Sequence, residues 1–387
     1  PEFPAGHRFP MDKFRLLRDH LVDSGLTTDA ALLRPEICPN DILALAHDRS
    51  YIERYMNGEL SREDQRRLGL PWSEALARRT VRAVGGSLLA AEQALQHGIA
   101  CHLAGGTHHA HYDHPAGFCI FNDLAVISRY LLEAGRVHRV LIFDCDVHQG
   151  DGTARLLEDQ PDAVTVSLHC EQNFPARKAQ SDWDIPLPRG MGDEDYLKVV
   201  DDILNYLLPI YQPDLVLYDA GVDVHKDDAL GYLQLTDAGV AARDECVLRH
   251  CLGRDIPVVG LIGGGYSKDR QALAREAMAA DVMQRTGATM IHPYNDLRVI
   301  AGQGTVGLEV LRQHPDPIDA VFVPIGGGGL AAGVAAIVRF LRPDTKIIGV
   351  EPADAPTMKS AIDAGHVVTL DQVGLFADGV AVRRAGD

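Results

Sequence analysis

The chain alternates short β-branched apolar runs with longer stretches in which apolar and charged residues recur at helical spacing. From Asp12 to about Gln96 the pattern is mostly helical, most clearly over Trp72–Gln96, which is rich in Ala, Leu, Glu and Arg. Beyond it, Val140–Phe143, Ala163–Leu168, Leu215–Tyr218 and Val258–Ile262 read as buried strands. Asn122–Ala134, Asp193–Leu208 and Thr236–Cys251 read as the helices between and after them. Strand and helix alternating in this way predict an α/β fold with a parallel sheet covered on both faces. In such sheets chemistry collects just beyond the carboxyl ends of the strands.

A separate pattern follows Gln271–Gln284, which reads as one continuous helix. It comprises a Gly-rich turn at Ala301–Gly307, a helix, the strand Ala320–Ile325, the run Gly326-Gly327-Gly328-Gly329, a helix to about Leu341 and the strand Lys346–Val350. This is a partial βαβ unit with no repeat relation to the first part. A boundary is expected near Arg275, giving segments 1–275 and 276–387.

Composition narrows the function classes. The net charge of −17 argues against passive binding to nucleic-acid phosphates or to an anionic membrane surface. Seven cysteines without a C-x-x-C pair point to a reducing compartment, hence a cytoplasmic protein. No apolar run approaches the ~18 residues of a membrane span. The chain opens on Pro1 rather than Met, which reads as a trimmed N-terminus.

Candidate chemistry sits where the predicted strands end. Val140–Phe143 runs into Asp144-Cys145-Asp146-Val147-His148, and extended backbone puts Asp144, Asp146 and His148 on one face. Two carboxylates and an imidazole suit a divalent metal. The same residues suit a solvated turn in which Asp caps a helix, a form that Asp151-Gly152-Thr153 has. Leu215–Tyr218 leads to Asp219 and Asp223, and Val258–Ile262 leads to Gly263-Gly264-Gly265-Tyr266, where glycines allow close approach to a ligand. Upstream, Gly105-Gly106-Thr107-His108-His109-Ala110 places a tandem histidine in a Gly-rich loop, which is not a core-packing pattern. His111 and His114 read as polar loop residues, and isolated histidines such as His47 and His250 as structural or exposed.

The motifs GTHHA, GFCIFND, DCDVHQGDG, GVDVH and GGGY, in that order over about Pro4–Arg275, resemble the histone deacetylase family of the arginase–deacetylase fold. RFPMDKF, IGGGYSKD and Gln149 in place of a second histidine are similar to its class IV and related bacterial branch. The resemblance implies zinc held by Asp146, His148 and Asp223, with His108 and His109 flanking the attacking water. It implies that Asp144 orients His108, Asp151 orients His109, and Tyr266 donates to the substrate carbonyl. Phe118 and Phe174, with Gly117 and Gly264, would wall an acyl-lysine tunnel. A monovalent cation, usually potassium, would lie near the backbone of Asp144, Asp146 and His148 and around Ser167 and Leu168. Asp219 is assigned no role. The substrate class implied is an acyl-lysine protein or peptide, or a small acylated amine. Iron(II) or cobalt(II) would also suit such a donor set. The family begins with a strand before the position of Pro1, so a sheet lacking that strand is expected.

Gly302-Gln303-Gly304-Thr305-Val306-Gly307 matches G-x-G-x-x-G, but no long β run precedes it, so a dinucleotide site is not expected. The run Gly326–Gly329 follows a strand and opens a helix, which suits either a phosphate cradle or a tight βα turn. HPYNDLRVIAGQGTVGLEVL, FVPIGGGGLAAGV and VGLFADGVAVRRAGD resemble an internal piece of biosynthetic threonine dehydratase, a pyridoxal phosphate enzyme whose phosphate loop matches Gly326, Gly327, Gly328 and Gly329. The family's Schiff-base lysine has no counterpart here, so no dehydratase activity is expected. Three readings follow: a zinc-dependent deacylase, a non-catalytic chimera that binds metal or acyl-lysine, and a pyridoxal phosphate lyase, which the missing lysine disfavours.

Overall fold

The structure, a computed structural model, describes residues 3–4, 7–25, 27–28, 32–267, 297–314, 316–325, 328–368 and 370. The chain forms two compact units, Pro1–Gly287 and Ala288–Asp387. The expected boundary near Arg275 and the expected helix Gln271–Gln284 lie outside the described residues.

In the first unit, helices α1 (Lys13–Asp23), α2 (Asn40–Leu43), α3 (Arg49–Met56), α4 (Arg62–Leu68) and α5 (Glu74–His97) precede the sheet. Ser73 caps α5 by accepting from the Leu76 amide, and Gly98 ends it in the left-handed conformation. The sheet is built from β1 (Ile99–His102), β2 (Val140–Asp144), β3 (Ala163–Cys170), β4 (Trp183–Leu187), β5 (Leu215–Asp219) and β6 (Val258–Leu261). Helices α6 (Asp123–Glu133), α7 (Asp151–Leu157), α8 (Asp193–Tyr211) and α9 (Asp237–Leu252) alternate with them.

All six strands are parallel, in the order β1-β6-β5-β2-β3-β4. The central strands β2, β3 and β5 are buried throughout, as apolar runs covered on both faces must be. Their side chains divide by alternation. Val140, Ile142, Leu215 and Leu217 pack with α3, α5 and α6, while Leu141, Phe143, Val216 and Tyr218 pack with α8 and α9. The two strands that hydrophobic pattern did not reveal are the edges. β1 is half exposed, and β4 carries Pro186 and is buried only at Leu187, so neither offers a continuous apolar run.

The strand order reverses between β2 and β5. From β2 the chain steps outward to β3 and β4, whereas β5 and β6 lie on the other side. Connections leaving the two strands therefore diverge and open a crevice at their carboxyl ends, where Asp144 and Asp219 are register partners.

The second unit contains α10 (Leu297–Gln313), the parallel pair β7 (Ala320–Pro324) and β8 (Lys346–Val350), α11 (Gly329–Leu341) and α12 (Thr357–Ala364). The expected Gly-rich turn at Ala301–Gly307 is incorrect, because those residues continue α10. Gly307 serves packing instead: a Cβ on it would come within 3.2 Å of the Val334 Cα on α11. No described helix is long and apolar enough to cross a membrane.

Candidate active site

Strand β2 ends at Asp144, but the alternation of its side chains persists through the following loop. Cys145 and Val147 join the apolar core, leaving Asp144, Asp146 and His148 to face the crevice. The loop after β5 adds Asp223, and the ligand atoms of Asp146, His148 and Asp223 all lie within 4.8 Å of one another. His148 Nδ1 is 2.9 Å from Asp146 Oδ1 and 3.0 Å from Asp223 Oδ2. Close approach of the β5 loop requires Gly221, where a Cβ would stand 2.4 Å from the Asp146 Cα. The fully buried Arg243 of α9 clamps that loop, donating from Nη1 to the Gly221 carbonyl at 2.6 Å. Sequence reading missed Arg243, since an arginine in an amphipathic helix carries no sign of burial.

Burial opposes charge on His148, yet its bonds to Asp146 and Asp223 outweigh it and push the ring up to about 10. Burial and the neighbouring Asp146 push Asp223 up to about 7. Such a knot of buried carboxylates around one proton is the electrostatic setting of a cation site.

Two histidine–carboxylate pairs stand beside it. His108 Nδ1 lies 2.7 Å from Asp144 Oδ2, and His109 Nδ1 lies 2.7 Å from Asp151 Oδ1. The rings are 4.1 Å apart but differ electrostatically. Burial and the cationic His108 pull His109 down to about 4. Burial also opposes charge on His108, but Asp144, Asp146 and Asp219 outweigh it and raise that ring well above its usual value. Neighbouring imidazoles with diverging pKa values are suited to different proton-transfer roles. His111, read from sequence as a polar loop residue, also reaches the site's edge: its Nε2 is 3.2 Å from Asp151 Oδ2, and its ring stacks on His114.

Tyr266 follows the glycines after β6, its amide donating to Asp228 Oδ2 at 2.6 Å. Burial and the carboxylates of Asp146 and Asp223 raise its phenol well above the usual value, so it remains an O–H donor. Gly117, Phe118, Phe174 and Tyr266 line a cavity of about 580 Å³ that also reaches His109 and His148. Phe118 has φ +67 and is fixed there by amide bonds from Gly117 to the Arg67 carbonyl (3.2 Å) and from Phe118 to the Leu68 carbonyl (3.0 Å). Gly264 stands behind the same aromatic residues. It lines an inner cavity of about 50 Å³ that is also bordered by Gly117, Phe118 and Tyr266, and a Cβ on it would stand 2.5 Å from the Asp223 carboxyl carbon. Its carbonyl accepts a hydrogen bond from Lys13, which burial pulls down to about 8.

The remaining sequence candidates are placed as follows. Gln149 points away, bonding Asp184 Oδ1 at 2.7 Å and the Ala179 carbonyl at 3.0 Å, so its replacement of a histidine leaves the carboxylate cluster intact. Ser167 is Asp144's register partner on β3 and lies 3.0 Å from His169 Nδ1, while Leu168 is buried in the core. Gly326 and Gly327 lie outside the described residues; Gly328, at φ +101, precedes α11, which Gly329 begins.

Asp219 is fully buried, and among the described residues neither carboxylate oxygen has a hydrogen-bond partner. Burial and the adjacent Asp144 raise its pKa well above the usual carboxylate range. The unfolded chain ionises Asp219 above about pH 4, whereas the folded one holds it neutral, so folding takes up a proton. Its contribution is full below the unfolded pKa and is lost as pH rises towards the folded value. Asp219→Asn does not titrate, so its stability relative to the parent chain should improve with pH, by about 1.4 kcal/mol per unit within that window. Urea midpoints at a series of pH values test this; a difference that does not change with pH rejects it.

The fold and this clustering of buried His and Asp side chains are now matched by comparison with known proteins. The family model for the histone deacetylase domain matches residues 7–282, and the chain belongs to that family. A model for pyridoxal-phosphate dependent enzymes matches residues 249–387. An uncharacterised protein of Picosynechococcus sp. is 47% identical over 266 residues, covering 69% of this chain and 89% of its own. The crystal structure of an HDAC homologue complexed with SAHA superposes with a TM-score of 0.62 at 24% identity, covering 74% of this chain and 81% of that one, and supports the fold. The C-terminal segment is similar to the biosynthetic L-threonine dehydratase of Burkholderia multivorans, 55% identical over 111 residues. That match covers 29% of this chain and 22% of the dehydratase.

Proposed function

We propose that the first unit is a zinc-dependent lysine deacylase. The observation that carries this reading is the convergence of Asp146, His148 and Asp223 with two buried His–Asp pairs at a cavity bordered by Phe118, Phe174 and Tyr266. The donor set fits zinc: three buried ligands, one imidazole and two carboxylates, with His148 Nδ1 carrying a proton where a cation would sit. When bound, zinc supplies Lewis acidity towards an acyl carbonyl and lowers the pKa of water towards ~7. His109, neutral at pH 7, takes the proton of the attacking water and returns it to the departing amine nitrogen. Asp151 holds its Nδ1–H, so that Nε2 is the proton carrier. Tyr266 donates its O–H to the acyl oxygen as negative charge develops there. Phe118 and Phe174 shield the lysine methylenes and exclude water.

The test is hydrolysis of fluorogenic acetyl-lysine and myristoyl-lysine peptides, with zinc and with chelator. Zinc-dependent turnover supports the reading and reports acyl length. A folded, zinc-loaded protein without turnover favours the non-catalytic alternative.

Loading should depend on pH. His148 would have to give up its ring proton, held up to about 10, to ligate zinc, so affinity should rise about tenfold per pH unit between pH 7 and 8. Below about 7 Asp223 also takes up a proton, and the dependence should steepen. Chelator competition across this range measures it, and a flat profile contradicts the ligand assignment.

A further inference from the structure

The charge of the cavity mouth is opposite to that of the chain. The protein carries 54 Asp and Glu against 37 Lys and Arg. Yet His7, Arg8, Arg66 and Arg67 line the approach to Phe118 and Phe174, and no Asp or Glu is among the described residues that line it. The arginines are not loosely placed. Arg66 and Arg67 end α4, whose last carbonyls hold the Gly117 and Phe118 amides, and Gly69 behind them is 3.1 Å from His7 Nε2. Arg67 is internally neutralised by Glu63 at 2.5 Å and Asp64 at 3.5 Å. Arg8 and Arg66 are exposed and make no ion pair among the described residues, although Arg66 Nε donates to the Arg62 carbonyl. On the Phe174 side, Lys178 ties the loop by bonding the carbonyls of Asn173 and Pro175, at 2.6 and 2.9 Å.

We infer that Arg8 and Arg66 select an acyl-lysine flanked by carboxylates, an acidic peptide segment rather than a polybasic tail. This inference rests on the deacylase reading and names its substrate class. The charges stand at the rim, outside the reacting atoms, so they act on encounter and on substrate placement. A polybasic segment would bring like charges against two guanidiniums that have no carboxylate partner among the described residues. An acidic one would supply those partners in forked geometry.

The experiment compares two acetyl-lysine peptides of equal length, one flanked by Asp and Glu, the other by Lys and Arg, on the zinc-loaded full chain. The acidic peptide should have the higher kcat/KM, on the order of tenfold at low ionic strength. That advantage should shrink when the Debye length falls to ~3 Å in about 1 M salt. Arg66→Glu should reduce the preference and Arg8→Glu/Arg66→Glu reverse it, with turnover of an uncharged acetyl-lysine amide unchanged. Equal rates for the two peptides, or preference for the basic one, overturn the inference. Fluorescence anisotropy of the same peptides reads the preference without hydrolysis. Lack of turnover with a retained binding preference would count against the deacylase reading and leave the charge selection standing.

Discussion

The Asp146→Ala/His148→Ala variant is expected to lose zinc and to hydrolyse acyl-lysine peptides at least about a thousandfold more slowly. The physical reason lies in how few groups hold the site. Removing Asp146 and His148 leaves Asp223 as the sole member of the triad, and a single carboxylate does not retain zinc against water. It also removes the His148 Nδ1 that lies 3.0 Å from Asp223 Oδ2, so the remaining buried carboxylate loses that partner. Metal analysis and turnover should fall together, with secondary structure by circular dichroism preserved. Full zinc content in the variant would show that the metal sits elsewhere. Retained turnover without zinc would show that the chemistry does not need it.

Tyr266→Phe isolates a different part of the machinery. It removes one hydroxyl, leaves the ring against Phe118 and His148, and keeps Asp146, His148 and Asp223 themselves unaltered. Turnover should fall roughly a hundredfold or more, the cost of deleting one preorganised donor to a developing oxyanion, while zinc content stays intact. Because burial and Asp146 keep the phenol protonated well above its usual range, the deficit should be constant across neutral pH. Unchanged kcat removes Tyr266 from the reaction. A deficit that disappears at one end of the pH range would assign it an ionisable role instead.

Much of the first unit was legible because its central strands are buried on both faces. Val140–Phe143, Ala163–Leu168, Leu215–Tyr218 and Val258–Ile262 are short runs rich in apolar and β-branched residues, and the structure places a strand at each, with ends shifted by at most two residues. The edge strands Ile99–His102 and Trp183–Leu187 carry no such signal, since one side of an edge meets solvent or loops. Gly307, in the segment Ala301–Gly307, misled for a related reason. Glycine marks either a turn or a close helix contact, and only packing against Val334 distinguishes the two.

What the sequence determined by itself was local: which strands end in chemistry-bearing residues, and which side chains share a face. The alternation along Asp144, Asp146 and His148 is a property of extended backbone and needs no partner. The sequence could not place Arg243 beneath Gly221, His111 on Asp151, Lys13 on Gly264, or Asp219 in a pocket without a hydrogen-bond partner among the described residues. Each of those contacts joins residues from distant parts of the chain or depends on what burial withholds. The charge of the mouth was equally hidden, because an acidic chain concentrates arginines there only once α4 is folded against the Phe118 loop. Local geometry follows from residue order. Long-range proximity and desolvation, which set pKa values and selectivity, exist only in the folded chain.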